Sequence, residues 1–262
     1  MIVFGIVIAL AAAARSTWSP CGLSMLSQIT PVAEAGRGHR FGRTAAWFIA
    51  GAALGGASLG CVIALGARAF GALGAGSHIA ITLLIGCTLT AAAVDARVLG
   101  SGPPFLRRQV NEAWLSKYRS WVYGGGFGWQ IGAGVTTYVM TAAVPLLIVA
   151  GVLSGNAGTA LTIAITFGLA RGLAVLLGAR LHTSSALLAF HRRFDAWTEP
   201  VRRAVIGVEL AVAAAATWIV APVVVAAIAS VAAAIAWMCT RPAEPSAAPA
   251  AERPTGTSAH AA

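Results

Sequence analysis

Charged residues are scarce in this chain. Asp, Glu, Lys and Arg make up 10% of its 262 residues, the acidic residues number 8, and Lys117 is the single lysine. The sequence has no glycine-rich phosphate loop, no catalytic triad pattern and no His/Cys cluster with metal-ligand spacing. A typical soluble enzyme is therefore excluded, and no cofactor or metal site is predicted. The one enzyme class left open is a thiol–disulfide oxidoreductase.

Cysteine is also sparse, with four residues in the chain. This number is too low for a disulfide scaffold. Cys21, Cys61 and Cys87 lie inside apolar runs, and Cys239 closes the last run. Cys61 and Cys87 lie at similar predicted depth, so a disulfide or a shared metal between them is geometrically allowed. The alternative is that each is a small buried hydrophobic residue.

Long apolar runs are what the chain has in abundance, and its mean hydropathy is +0.80. A bilayer core about 30 Å thick requires roughly 20 apolar residues per helix. The sequence therefore predicts an all-α polytopic membrane protein with six transmembrane helices, or seven if the last run divides at Pro222. The runs are 1–31 (interrupted), 44–67, 77–96, 127–153, 157–179 and 205–238.

The net charge of +10 does not indicate a nucleic-acid partner, because 13 of the 18 basic residues fall in alternate loops of the predicted topology. Basic residues in short loops mark the cytoplasmic side of a membrane. With six helices both termini are therefore predicted outside. The abundance of Ala and Arg with a single Lys indicates a GC-rich bacterial genome, so the predicted location is a bacterial plasma membrane. The 13 are Arg37, Arg40, Arg43, Arg97, Arg107, Arg108, Lys117, Arg119, Arg180, Arg192, Arg193, Arg202 and Arg203.

Two of the apolar runs contain helix-breaking residues. The first has Ser19-Pro20-Cys21-Gly22, where proline and glycine predict a kink or an unwound step. The fourth begins with a glycine-dense stretch over 124–134, followed by Thr136 and Thr137. Interruptions at corresponding places in the two halves of a chain are typical of inverted-repeat carriers with a site near the bilayer midplane.

This pattern divides the chain into four parts. Three-helix halves are predicted over 1–98 and 125–238, joined by a cytoplasmic loop over 99–124. Within this loop, residues 105–123 have the pattern of an amphipathic helix lying on lipid headgroups. The tail, 239–262, is rich in Pro, Ala, Ser and Thr and is predicted to be disordered.

Ionisable residues inside a bilayer are costly and indicate function. Arg15, Arg171 and Glu209 are such residues, with Asp95 near a helix end. Arg171 and Glu209 could pair as a structural clasp, or could lie along a substrate path. Arg15 lies about two turns from Cys21, where a cation would make the thiol more reactive.

The stretch Ser19-Pro20-Cys21-Gly22-Leu23-Ser24-Met25-Leu26, closing at Pro31, resembles the first-helix motif of the CcdA/DsbD transmembrane family. That family is similar in architecture to the LysE group of small-solute exporters. The resemblance implies six helices and a redox role for Cys21 with a second cysteine in helix four. Here the corresponding residues 132–137 include no cysteine, so the family's redox chemistry would need Cys61 or Cys87 instead.

Three functional hypotheses follow. The first is a carrier that moves a small solute or metal ion through a site at the two broken helices. The second is a thiol–disulfide electron carrier for extracytoplasmic protein or cytochrome c maturation, in which Cys21 reacts with Cys61, Cys87 or a thioredoxin-like partner. The third is a non-catalytic scaffold in the lipid bilayer. The candidate binding residues of the first are Pro20, Cys21, Gly22, Gln130, Thr136, Thr137, Arg171 and Glu209.

Overall fold

The computed structural model describes residues 1–98, 100, 114–134, 137–220 and 232–237. Within these ranges the chain is helical, with no extended strand. The helices are α1 (Ile2–Thr17), α2 (Pro20–Gln28), α3 (Pro31–Gly36), α4 (Phe41–Ala72), α5 (Ser77–Asp95), α6 (Trp114–Lys117), α7 (Ser120–Ala133), α8 (Ala143–Leu153), α9 (Ala157–Leu173), α10 (Ser184–Ala196) and α11 (Thr198–Val220). A 3₁₀ helix over Ala174–Arg180 continues α9.

The prediction of an all-α membrane protein is confirmed. Four helical segments in the described ranges are long and apolar enough to cross a bilayer: α4, α5, α11, and α9 together with its 3₁₀ extension. Helices α1 and α2 pass the same test as a pair, although they are bent by 69° at the break between them. The chain is therefore a multi-pass membrane protein with four crossings by this criterion, or five if the bent pair is one crossing.

Helix α4 is the centre of the bundle, and it packs most extensively against α7 and α9. A Cβ atom on Gly51 would lie 2.1 Å from the carbonyl oxygen of Gly125 in α7, and one on Gly56 would lie 2.5 Å from that of Ala164 in α9. Glycines on two faces of α4 therefore allow two neighbours to approach its backbone. The small-residue spacing of this helix serves packing.

The remaining long helices surround this core. Helix α1 packs against α9, α8 and α11, and α5 packs against α11 and α8. Gly5 lies beside Ile163 and Ser16 beside Arg171, so α1 and α9 run in the same direction. Their facing residues belong to one apolar core that extends across α1, α4, α5, α8, α9 and α11.

The run over 127–153, expected as one crossing, forms two helices instead. Helix α7 begins at Ser120, before the expected boundary at 125, and ends at Ala133. Gly134 then takes a φ of +71°, which α-helical geometry does not allow. Helix α8 resumes at Ala143. Both helices run alongside α4, since Gly128 contacts Phe48 and Gly151 contacts Ile63.

Several predicted segments lie partly or wholly outside the described residues. Of the amphipathic segment 105–123, the structure describes only 114–123. There, α6 ends at Lys117 and a separate helix begins at Ser120. Helix α11 is described to Val220. Pro222 and the tail 239–262 lie outside the described ranges.

The contact between α4 and α7 gives a test of packing. A Cβ on Gly132 would lie 2.0 Å from the carbonyl oxygen of Ala52, whereas one on Gly207 of α11 meets nothing within 4 Å. We expect Gly132→Ala to lower the free energy of unfolding by about 1–3 kcal/mol, because the helices must move apart. Gly207→Ala should leave it unchanged or raise it by up to about 1 kcal/mol. Thermal unfolding in detergent measures both, and equal effects of the two variants would contradict close packing at Gly132.

Candidate functional site

The first break lies between α1 and α2, where the sequence predicts it. Ser19 is the N-cap of α2, and its Oγ accepts a hydrogen bond of 3.1 Å from the backbone N–H of Gly22. Pro20 follows as the first helical residue, a position where its missing N–H costs nothing. This local chemistry starts a new helix at Pro20 rather than continuing α1.

Gly22 and Cys21 lie on the inner side of this break. A Cβ on Gly22 would lie 2.2 Å from the carbonyl oxygen of Thr17, so only glycine lets α2 approach the end of α1 this closely. Cys21 is 1% exposed and therefore faces protein rather than lipid.

The second break, between α7 and α8, is held by polar contacts at both ends. At its start, Thr137 Oγ1 donates a hydrogen bond of 3.1 Å to the carbonyl of Gly134. At its end, the carboxylate of Asp95 accepts a hydrogen bond of 2.8 Å from the N–H of Ala142 and another from the Thr141 hydroxyl. Asp95 thereby holds Thr141 and Ala142, the two residues that precede α8.

Arg171 joins the two breaks. Its Nη1 donates a hydrogen bond of 2.6 Å to the carbonyl of Ile131, near the end of α7, and one of 3.4 Å to the hydroxyl of Thr137. Its Nη2 donates one of 3.5 Å to the carbonyl of Ser16, near the end of α1. Arg171 is 3% exposed, and the ring centroid of Phe167 lies 5.5 Å from its guanidinium carbon.

These contacts leave the guanidinium with unused bonding capacity. Arg171 Nε is buried without a hydrogen-bond partner among the described residues. Beside it lies a cavity of about 10 Å³, which is space for about one water molecule. The cavity is lined by Thr17, Gly22, Met25, Leu26, Phe48, Ile131, Arg171, Ala174 and Val175.

The structure brings together part of the predicted binding set. Pro20, Cys21 and Gly22 lie at the first break, and Thr137 and Arg171 meet at the second. Cys21 interacts electrostatically with Arg171. Two further members of the set are Gln130, half-buried in α7 one residue before Ile131, and Thr136, which lies outside the described residues.

Glu209 is not part of this junction, and the predicted ion pair between Arg171 and Glu209 is wrong. Arg171 bonds to carbonyl and hydroxyl oxygens, while both carboxylate oxygens of Glu209 are buried without a partner among the described residues. The electrostatic partners of Arg15 are Asp95, Arg202, Glu199 and Arg97.

The cysteines do not assemble into a site. Cys61 is exposed on α4, and Cys87 is half-buried on α5, where it lines a groove with Pro145 and Ala142. The described cysteines form no disulfide. Nor do three His, Cys, Asp or Glu side chains come together as a metal site within the described residues.

Glu34 is a polar centre that sequence reasoning missed. Its buried carboxylate accepts hydrogen bonds from the Tyr123 hydroxyl at 2.8 and 2.9 Å, from the Thr44 hydroxyl, and from Arg37 at 2.9 Å. These bonds tie α3 to α4 and α7. Its signal in the sequence is that Glu34 is the first acidic residue of the chain and the only one before Asp95.

Gly22 provides a test of the first break. We expect Gly22→Ala to push α2 away from Thr17 and to raise the rate of Cys21 alkylation by maleimide about tenfold. A packing cost of about 1–3 kcal/mol favours opening by roughly that factor. Gly42→Ala, where a Cβ meets nothing within 4 Å, is the control. Alkylation of Cys21 at the wild-type rate in Gly22→Ala would show that the break tolerates a side chain there.

Comparison with known proteins gives a consistent set of relatives. The chain is 34% identical over 178 residues to the methylamine utilization protein MauF of Paracoccus denitrificans, covering 65% of this chain and 62% of the relative. It is 33% identical over 161 residues to MauF of Paracoccus versutus, covering 61% and 59%. For MauF of Methylorubrum extorquens the identity is 32% over 161 residues, covering 60% and 55%.

These alignments span less than two thirds of the length of each relative. No protein-family profile matches the chain, and no solved structure matches it. The chain is therefore a membrane protein similar, over about three fifths of its length, to proteins named for methylamine utilization.

Proposed function

We propose that this chain is a membrane carrier that binds a small solute at the junction of its two broken helices. The observation that carries the proposal is the buried guanidinium of Arg171, which bonds to Ser16 in α1 and Ile131 in α7 and retains an unpartnered Nε among the described residues. A fixed cation beside a small interior cavity would attract a hydrogen-bond acceptor.

The proposal includes an inverted repeat of two three-helix halves on a CcdA/DsbD-like scaffold. In it, α1 with α2, α4 and α5 form the first half, and α7 with α8, α9 and α11 form the second. Support comes from the breaks, which fall in the first crossing of each proposed half. The six crossings would lie in a bacterial plasma membrane with both termini outside, as the basic loops favour.

The mechanism follows from competition for Arg171. The ends of α1 and α7 present backbone carbonyls that carry the partial negative charge of a helix C-terminus. A solute with acceptor oxygens would take the same N–H donors and release Ser16 or Ile131. The ends of the broken helices could then move, which is the change that opens the site to one side or the other.

Charge selects the class of solute. A guanidinium repels metal ions and ammonium groups and pairs with planar oxyanions through two parallel hydrogen bonds. Cys21, Gln130, Thr136 and Thr137 would complete the site as polar neighbours. The similarity to methylamine utilization proteins suggests that the solute serves amine utilization, but Arg171 argues against methylammonium itself as the cargo.

The role of Arg171 is tested with planar anions. In proteoliposomes we expect exchange of isotopically labelled nitrate, with formate as competitor, and a loss of at least about tenfold in Arg171→Gln. A hydrogen bond to a charged group contributes about 1.5–3 kcal/mol, and about 1.4 kcal/mol is tenfold in affinity. Arg180→Gln, which removes the same charge from an exposed position in the 3₁₀ helix, should leave the exchange unchanged.

Two outcomes would overturn the anion carrier. One is the absence of nitrate or formate exchange above that of protein-free liposomes. The other is exchange that Arg171→Gln and Arg180→Gln reduce equally, because the effect would then come from net charge. If Arg171→Gln unfolds, Arg171→Lys is the alternative variant. Lysine keeps the positive charge but lacks the planar set of N–H donors, so this variant should remain folded and show weaker nitrate exchange.

A second candidate function is a thiol–disulfide electron carrier. Cys21 lies in the first turn of α2, a helix N-terminus, and interacts electrostatically with Arg171. Reactive thiols of redox proteins are found at helix N-termini and beside cations. Its partner would be Cys61, Cys87 or a thioredoxin-like protein, and the break would have to open because Cys21 is buried.

Replacing Cys21 separates the two functions. Under the carrier proposal, Cys21→Ser should retain nitrate exchange within about threefold, because one weak acceptor replaces another at a site dominated by Arg171. An electron carrier would instead lose all thiol-dependent reduction. Differential alkylation of native membranes shows whether Cys21 enters a reducible disulfide, and Cys61→Ser and Cys87→Ser show whether either of these thiols is its partner. If it does, the electron carrier is favoured over the solute carrier.

A further inference from the structure

The carboxyl group of Glu209 is a second unusual feature of the interior. It lies in α11, is 1% exposed, and has no hydrogen-bond partner on either oxygen among the described residues. The other buried acidic groups that the structure describes are bonded: Glu34 by Tyr123 and Arg37, and Asp95 by Ala142. An ionised carboxylate without a hydrogen-bond partner is strongly unfavourable in such surroundings. Glu209 therefore needs to bind a group that the described residues do not supply.

The groups facing Glu209 come from the helices packed on α11, which are α1, α5 and α10. From α5, Asp95 interacts electrostatically with Glu209. From α1, Arg15 interacts with Asp95, and its Nη1 is buried without a partner among the described residues. The charged side chains of α10, which are His191, Arg192, Arg193 and Asp195, precede the start of α11 at Thr198. Glu209 lies eleven residues beyond that start, about 16 Å along the axis of α11.

A line of polar groups leads from the surface to Asp95, the electrostatic neighbour of Glu209. Glu199, at the start of α11, has a side chain that is 48% exposed, and it accepts a hydrogen bond of 2.9 Å from Arg202 Nε. Arg202 Nη1 donates one of 2.8 Å to the backbone carbonyl of Asp95. Glu209 is ten residues beyond Glu199, about 15 Å deeper along the helix.

We propose that Glu209 is a proton-binding site that couples proton movement to the carrier. This rests on the proposed function. The carboxylate takes one proton to become a neutral carboxylic acid, with the proton supplied by water at the Glu199 end and returned to water when the helices rearrange. A metal ion is a poor alternative, because no third acidic, His or Cys side chain joins Asp95 and Glu209 among the described residues.

The first test reads the proton directly. The infrared difference spectrum of the protein in bilayers, taken between low and high pH, should show a carboxylic acid band. This band should shift in D₂O and should be absent in Glu209→Gln. Asp195→Asn, on the exposed face of α10, is the control and should keep the band. Persistence of the band in Glu209→Gln would overturn the proposal, as would a Glu209 carboxyl that stays ionised across the pH range in which the protein is folded.

The second test separates this inference from the proposed function. With labelled nitrate as the probe, Glu209→Gln should keep exchange at equal pH but lose, by at least about tenfold, the accumulation driven by an imposed pH gradient. If accumulation persists in Glu209→Gln, the coupling role is wrong while the carrier stands. If the infrared band behaves as expected but no nitrate moves in wild type, the carrier is wrong and Glu209 remains a proton-binding site without that role.

Discussion

The fold depends on how two helices can end inside an apolar environment. Helix C-termini leave backbone carbonyls without partners, and a bilayer provides no water to satisfy them. Arg171 solves this problem for α1 and α7 at once, through its bonds to Ser16 and Ile131. A single guanidinium suits the task because it presents five N–H donors in a rigid plane and keeps its charge. Its own burial is offset by those carbonyls and by the face of Phe167.

Backbone contact between helices makes this arrangement possible. At Ala52 of α4, the carbonyl oxygen would lie 2.0 Å from a Cβ on Gly132 of α7 and 2.4 Å from one on Gly168 of α9. The backbones of α4, α7 and α9 are therefore in close contact at Ala52, with no side chain between them. Because α7 and α9 both lie against α4 at this level, the side chain of Arg171 in α9 reaches the carbonyl oxygen of Ile131 in α7. Larger residues at these positions would separate the helices and leave the end of α7 without its donor.

A structural feature could be predicted from the sequence where residues close together in the chain determine it. The break at Pro20 and Gly22 was predicted, because proline and glycine act on the backbone within a few residues. The partners of Arg171 were not, because backbone carbonyls carry no residue signature and Glu209 was the obvious acid at a plausible depth. An interruption of the fourth run was predicted from its glycines and threonines, but its position at Gly134 and the full separation into two helices were not.

The failure of Arg171 and Glu209 to pair has a functional consequence. As an ion pair they would neutralise each other and leave nothing to bind a solute or a proton. Apart, they provide the two separate sites of the proposed carrier. These are linked through the last turn of α1, where Ser16 accepts a hydrogen bond from Arg171 and the neighbouring Arg15 interacts with Asp95. In the proposed carrier, a solute that displaces Ser16 from Arg171 frees this turn and shifts Arg15 relative to Asp95. The electrostatic field at Glu209 then differs between the solute-bound and the solute-free protein. Proton binding at Glu209 therefore depends on whether the solute is bound, and coupling requires such a difference between states.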